Sequence, residues 1–457
     1  MSEHTWPREW WRPEAPVAAA AVAAPGQIVA GNTVAFAALI AFTTILLVSP
    51  QAWFPAIKSL RIALVAATVA IAAHLAGRMF GEVRALPVRR EMVIALALVL
   101  WAAITIPLSI WAGGSWAALT DHLIKAVIFF WLIGTLVTTR QRLMRFTWVL
   151  ALCSIPLALT ALTNYWSGVF ITHATSSVQR IAGYVGGAGL AGNPNDLALM
   201  LNLLMPLTGA LFIITKQPWL RAVALGALIL SVGAVIATFS RAGFITLAAI
   251  ALATFASMVR RGALGAAVIV VFIALGAFVL IPDQYFTRLS TITNIEADTT
   301  GSAQGRWDDY FVSLEYIRIN PLTGAGLGQD LLALNETRGR STWRSVHNAF
   351  LQAAVDLGLP GLALLLALLL ASFANARRVR RHAARQPSLR DLGVLASGVH
   401  LSLLAFTVAA FFHPIAYQFY FFCLAGLAVA LVNADRAEVQ PGVPNARTLR
   451  VGVELTS

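Results

Sequence analysis

Apolar runs of about 20 residues recur along this chain from residue 33 to residue 433, and each is long enough to cross a bilayer as a helix. No other feature limits the possible folds so strongly. Hydrophobic residues make up 58% of the 457 positions and charged residues only 12%. A soluble domain carries about 25% charge. The expectation is an all-α polytopic membrane protein. Two cysteines, Cys153 and Cys423, both inside apolar runs, exclude a disulfide framework and a CxxC metal site. The net charge of +13 rests mainly on arginine, since only Lys58, Lys125 and Lys216 among the 33 basic residues are lysine. In a membrane protein such an excess points to topology and anionic membrane lipid, and not to nucleic acid.

We read about twelve spans, near 33–49, 55–77, 91–111, 121–138, 146–165, 197–215, 219–239, 242–259, 263–281, 349–374, 393–412 and 415–433. Every second connection is basic, for example Arg78/Arg84/Arg89/Arg90, Arg140/Arg142/Arg145 and the Arg377–Arg390 run. The alternate short connections are nearly free of Lys and Arg, which places the basic side and both termini in the cytoplasm. The organisation expected is a cytoplasmic tail at 1–31, nine spans within 32–281, a large periplasmic loop at 282–348, three spans within 349–433 and a cytoplasmic tail at 434–457. The first tail, with Trp6, Trp10 and Trp11 ahead of a Pro- and Ala-rich stretch, reads as disordered.

Two outer loops, 166–196 and 282–348, are longer than joining two helices requires. They carry Arg180 and then Arg288, Arg306, Arg318, Arg338, Arg340 and Arg344, and Arg241 sits in the tight outer turn "TFSRAGF". Guanidinium groups collected on one face suit a phosphate or pyrophosphate partner, because their planar donors bind such anions in pairs. Within the larger loop, "GRWDDYFVSLEYIRIN" spaces Trp307, Phe311, Leu314, Ile317 and Ile319 as an amphipathic helix that lies on the membrane or caps a cavity; Pro321 stops it.

Gly324, Gly326 and Gly328 form a turn; a phosphate cradle is the alternative, but no βαβ pattern surrounds them. Asn193-Pro194-Asn195-Asp196 is a turn and helix N-cap. Arg241, between two apolar runs, either snorkels or marks a function, and the functional reading is favoured. His347 closes the arginine-bearing loop and opens an apolar helix; a neutral imidazole there can take a proton from a hydroxyl. His413, at an outer turn, is a weaker candidate. His400, in mid-span, is expected to make an interhelical hydrogen bond. No His/Glu cluster at ligand spacing suggests a metal, and Asp308-Asp309 read as flanking a helix start.

His347-Asn348, nine residues, Gly358, two residues and Gly361 resemble the signature of the O-antigen ligase and polysaccharide polymerase superfamily of bacterial inner membranes. "GNPND", "SRAG" and "R…INPLTGAGLG" look like its other motifs, and the resemblance spans about 175–365. It implies a GT-C-type glycosyltransferase fold working on the periplasmic face without metal or other cofactor. The reaction implied moves a glycan from undecaprenyl pyrophosphate to a sugar hydroxyl of the lipid A–core oligosaccharide, with inversion. His347 would be the general base, Arg180, Arg241 and Arg306 would hold the donor pyrophosphate, and Asn348, Asn193, Asn195, Gly358 and Gly361 would support them. A polymerase or a protein O-oligosaccharyltransferase shares donor and motif. A transporter would place its charges near mid-membrane between repeated halves, which this chain does not display.

Overall fold

The computed structural model describes residues 32–80, 88–171, 180–181, 183, 192–260, 262–263, 302–338 and 343–439. In chain order its helices are α1 (Thr33–Val48), α2 (Ile62–Met79), α3 (Arg90–Thr105), α4 (Ala112–Leu136, with a π-turn at Leu119–Leu123), α5 (Arg140–Trp166), α6 (Pro194–Ile214) and α7 (Pro218–Ala237). There follow α8 (Arg241–Arg260), α9 (Ser302–Ile319), α10 (Asp330–Arg338), α11 (Ala349–Ala383), α12 (Arg390–Ala410) and α13 (Phe419–Val439). The all-α polytopic architecture is as expected; the only strand pairing among the described residues is a two-residue antiparallel pair, Phe170–Ile171 with Arg180–Ile181.

Ten helices among the described residues are long and apolar enough to cross a membrane, and they coincide with ten of the twelve expected spans. The first expected span is α1, apolar but only 16 residues long. That is about 24 Å against a hydrocarbon core of about 30 Å. The ninth, 263–281, lies almost wholly outside the described residues, as do the tail 1–31, residues 440–457 and the first part of the large loop.

Helices α6 and α13 are central: 78% and 89% of their apolar windows are buried inside the protein, against 17% for α2 and α8. Small residues allow this packing, since apolar side chains gain little from meeting one another in lipid and close backbone contact must supply the attraction. Gly426 of α13 lies against Ile133 and the Phe130 carbonyl of α4, and Gly398 of α12 lies against the Pro206 carbonyl of α6. Polar links tie the basic end of the bundle. Arg89 donates to Asn433 Oδ1 (2.6 Å), whose amide donates to the Gly134 carbonyl (2.7 Å), while His382 pairs with Asp435 (2.7 Å).

At the opposite end, the large loop has a core of its own: Tyr316, Ala325, Ala333, Leu334, Val346 and Val355, flanked by Val312, Ile317 and Leu351. The described part of this loop is therefore a packed cap on the start of α11. The expected helix at 305–320 is α9, which begins earlier, at Ser302, and ends at Ile319. Asp308 and Asp309 consequently sit inside the helix and do not flank its start. Asp309 is buried (2% exposed) because it receives Arg338 and Arg344 from the far side of the loop, Arg344 Nη2 lying 3.1 Å away.

His400 also departs from expectation. Its contact across the helices is an edge-on packing against the Phe373 ring (5.1 Å), and its Nδ1 is buried without a hydrogen-bond partner. That near-perpendicular ring contact stands where the hydrogen bond was expected.

Candidate active site

The site is built around a break in α11. Asn348 caps the helix, its Oδ1 accepting from Phe350 N (2.9 Å) and Leu351 N (3.1 Å). After nine intervening residues Gly358 adopts φ 67°, ψ −175°, and Pro360 cannot donate a backbone N–H. The helix therefore cannot satisfy the carbonyls of Val355, Asp356 and Leu357 in the usual way. Three outside donors replace the missing bonds. Ala325 N reaches the Val355 carbonyl (2.8 Å), Gly326 N the Asp356 carbonyl (2.8 Å), and Trp101 Nε1 the Leu357 carbonyl (2.9 Å). In return Leu359 N donates to the Pro321 carbonyl (2.8 Å).

This exchange explains the glycines of "PLTGAGLG". Gly324, Gly326 and Gly328 all have positive φ, and a side chain on Gly324 would run into the Val355–Asp356 backbone, one on Gly326 into Ser109. The turn is pressed onto the helix break and is not an open phosphate cradle. Gly358 has the same constraint from the other side, where the Leu322 carbonyl occupies the space of a Cβ. Gly361 lets α11 resume against Leu357.

From this platform a set of carboxyl groups holds the segment before α11. Asp356 is fully buried, and its Oδ1 accepts from Asp330 N (2.8 Å), so one helix supplies the N-terminal cap of another, α10. Asp330 in turn accepts from Ser345 Oγ and from Val346 N (2.8 Å). The Ser345 carbonyl then lies 3.0 Å from His347 Nδ1. A carbonyl oxygen only accepts, so Nδ1 carries the proton of a neutral ring and Nε2 holds the lone pair. Burial, and then the Arg306 charge, hold the His347 pKa below 6.5, with the Ser345 carbonyl and Asp309 acting in the other direction. At neutral pH this is an unprotonated imidazole with a fixed tautomer, which suits a general base.

Arg306 thus shares the field of His347, and both also act on His413. His413 is buried at the turn between α12 and α13, its Nδ1 2.9 Å from the Ala409 carbonyl. Burial drives its pKa down to about 4, against the pull of the Ala409 and Asn195 backbones. Asn195 brings in the next motif. Asn193 caps α6 by accepting from Asn195 N (2.8 Å) and Asp196 N (3.0 Å), and Ser240 Oγ donates to Asn195 Oδ1 (2.8 Å). Ser240 also caps α8 at Gly243 N (3.1 Å), and Arg241, half-buried, is the first residue of that helix.

Of the residues expected from sequence, His347, Asn348, Arg306, Gly358 and Gly361 therefore meet in the cap, while Asn193 and Asn195 adjoin Arg241 through Ser240. Arg180 is placed only as a strand residue whose backbone pairs with Ile171. Asp330, Asp356 and the Asp309–Arg338–Arg344 cluster, which hold the segment before α11, carry no motif in the sequence. Nothing local in "GQDLL" or "VDLGL" says that two aspartates 26 positions apart cap and brace one another. Among the described residues no three His, Cys, Asp or Glu side chains are grouped to hold a metal ion.

Residues 226–366 match the family model described as O-antigen ligase. The matched stretch includes Ser240, Arg241, Arg306, Asp330, His347, Gly358 and Gly361, and excludes Arg180, Asn193, Asn195 and His413. The chain has no match among curated proteins.

Proposed function

From the membership of the O-antigen ligase superfamily that this match supports, with its ligase- or polymerase-type glycosyl transfer, we propose that the chain is an O-antigen ligase of the bacterial inner membrane. It takes a polysaccharide from undecaprenyl pyrophosphate and joins it to a hydroxyl of the lipid A–core oligosaccharide, on the periplasmic face and in a GT-C-type fold. The observation that carries this reading is His347, neutral, with Nδ1 tied to the Ser345 carbonyl, Nε2 left with its lone pair, and the ring within the field of the Arg306 charge.

The acceptor hydroxyl attacks the anomeric carbon as its proton passes to His347 Nε2. The bond from that carbon to the pyrophosphate oxygen breaks, and the leaving lipid pyrophosphate keeps the electron pair. Attack opposite the leaving group inverts the anomeric configuration. Charge develops on the pyrophosphate, and guanidinium groups placed for it lower the barrier. Arg306 and Arg241 are assigned that role, with Arg180 as the third donor. No step requires a metal.

In a deletion strain we expect lipid A–core free of O-antigen, with long lipid-linked chains accumulating. A core carrying one repeat unit would instead make the protein a polymerase. A His347→Ala variant should bind donor yet lose transfer by about 10²–10⁴-fold. Full transfer by that variant sinks the base assignment, and transport of an unaltered glycan by the purified protein would move it out of the transferase class.

A further inference from the structure

Asn202 lies about 12 Å along α6 from Pro194, between Leu201 and Leu203, and is fully buried. Only half of its amide is used. Nδ2 donates to the Gly243 carbonyl of α8 (2.9 Å), while Oδ1 is buried without a hydrogen-bond partner. A half-satisfied amide in apolar surroundings costs more than an apolar side chain of the same shape. The Gly243 carbonyl, for its part, belongs to a helix in which carbonyls already accept from the N–H four residues on. Interhelical bonds of this kind contribute little to membrane-protein stability, and polar residues inside a membrane mark function by default.

What Asn202 holds is the first turn of α8. Asn195, Ala198 and Asn202 stand at i, i+3 and i+7, so they share one stripe of α6. Each meets that turn at a different point. Asn195 Oδ1 accepts from Ser240 Oγ (2.8 Å), a Cβ on Gly243 would come within 2.7 Å of Ala198 Cβ, and Asn202 takes the Gly243 carbonyl. Arg241 lies between Ser240 and Gly243, so the turn is held on both sides of it. The chain enters this turn through buried Phe239 at φ 53°, a backbone state unfavourable for a non-glycine residue and kept only where the surroundings dictate it.

We propose that Asn202 is a positioning residue for Arg241: it locks the rotation of the first turn of α8 so that the guanidinium meets the donor pyrophosphate in one orientation. The inference rests on the proposed glycosyl transfer and on the donor role given there to Arg241. A guanidinium binds phosphate oxygens in pairs only when its plane is aimed at them. Successive helix positions differ by about 100°, so a small rotation of α8 turns the fork away. The bond from Asn195 to Ser240 fixes where the helix starts, and the close approach of Ala198 to Gly243 sets its distance. Asn202, reaching a carbonyl of the turn itself, fixes its angle.

The test uses full-length protein in lipid nanodiscs, with glycan-free undecaprenyl pyrophosphate as the binding probe and thermal unfolding as the control. Asn202→Leu keeps the branched shape and loses the donor. It should unfold at the wild-type temperature or above and bind the probe about fivefold more weakly, the worth of one ordinary hydrogen bond. Asn202→Ala should lose as much, which guards against crowding by the larger leucine. Arg241→Gln should bind weakly by itself, and adding Asn202→Leu to it should weaken binding no further. Gly243→Ala should show the same loss, and Ala198→Gly placed beside it should restore binding. If Asn202→Leu binds as wild type while Arg241→Gln binds weakly, the proposal falls and the donor role of Arg241 stands. Wild-type binding by Arg241→Gln removes that role, and the proposal with it. A lowered unfolding temperature in Asn202→Leu, with a binding loss that persists in the Arg241→Gln background, makes Asn202 a scaffold residue and also overturns the proposal. Binding is read without turnover, so failure of the His347 assignment leaves this result interpretable.

Discussion

Replacing Asp330 by alanine tests whether the cap positions the base. Its carboxyl accepts from Ser345 Oγ and from Val346 N, and both donors are left without it. Val346 is only 1% exposed, so no water replaces the bond to its N–H. A buried donor left unmade costs about 1–3 kcal/mol, and the hydroxyl adds about 1 kcal/mol more. The cap should therefore loosen by about 2–4 kcal/mol. That strain falls on Ser345, whose carbonyl fixes the tautomer and direction of His347. A misplacement of about 1 Å at a reacting group costs about 10²-fold in rate. We expect kcat to fall by 10- to 100-fold in Asp330→Ala while donor KM changes little and the acidic limb of the pH profile broadens or moves. Ser345→Ala keeps the carbonyl and loses one hydroxyl bond, so it should cost less than threefold by the same reasoning. Transfer would be followed with purified protein, lipid-linked donor and lipid A–core acceptor, and thermal unfolding would confirm the fold. A folded Asp330→Ala enzyme with wild-type kcat and pH profile refutes the positioning argument.

The pH profile of kcat/KM should stay flat through 6.5 and fall only below it, because catalysis needs neutral His347 and its pKa is held down by burial and Arg306. Arg306→Gln should move that limb upward, and a wild-type limb at or above 6.5 contradicts the assignment. His413 titrates at about 4 folded against 6.5 unfolded, so its contribution is fully present above pH 6.5 and is lost as pH falls from 6.5 to about 4. The loss is about 3 kcal/mol, and His413→Gln should flatten the unfolding temperature over that range. Asp309→Asn removes the buried carboxylate that receives Arg338 and Arg344; unfolding should shift by about 3–5 kcal/mol, with strong coupling to Arg338→Met in a double-mutant cycle. Gly358→Ala forces a side chain onto φ 67° and into the Leu322 carbonyl. The backbone term alone is about 1–2 kcal/mol, and the variant should lose transfer together with protection of the 321–328 amides from exchange.

The membrane architecture is local information, and the sequence by itself determined it. Apolar runs of bilayer length, Asn193 and Asn348 ahead of helices, and the spacing from His347 to Gly358 and Gly361 are read along a single stretch of chain. Each depends on near neighbours, through helix geometry and the hydrophobic effect, so no tertiary contact is needed to see them. What the tertiary structure decided is why that spacing exists. Nine residues carry α11 from its cap to a break, and the carbonyls freed there are satisfied by Ala325 and Gly326 and by Trp101, which is 256 positions away from its partner. The tautomer of His347 likewise depends on Asp356 and Asp330, whose side chains carry no motif. Hydrogen-bond satisfaction in a buried site is a property of the assembled packing, where each donor is matched only once distant segments have met.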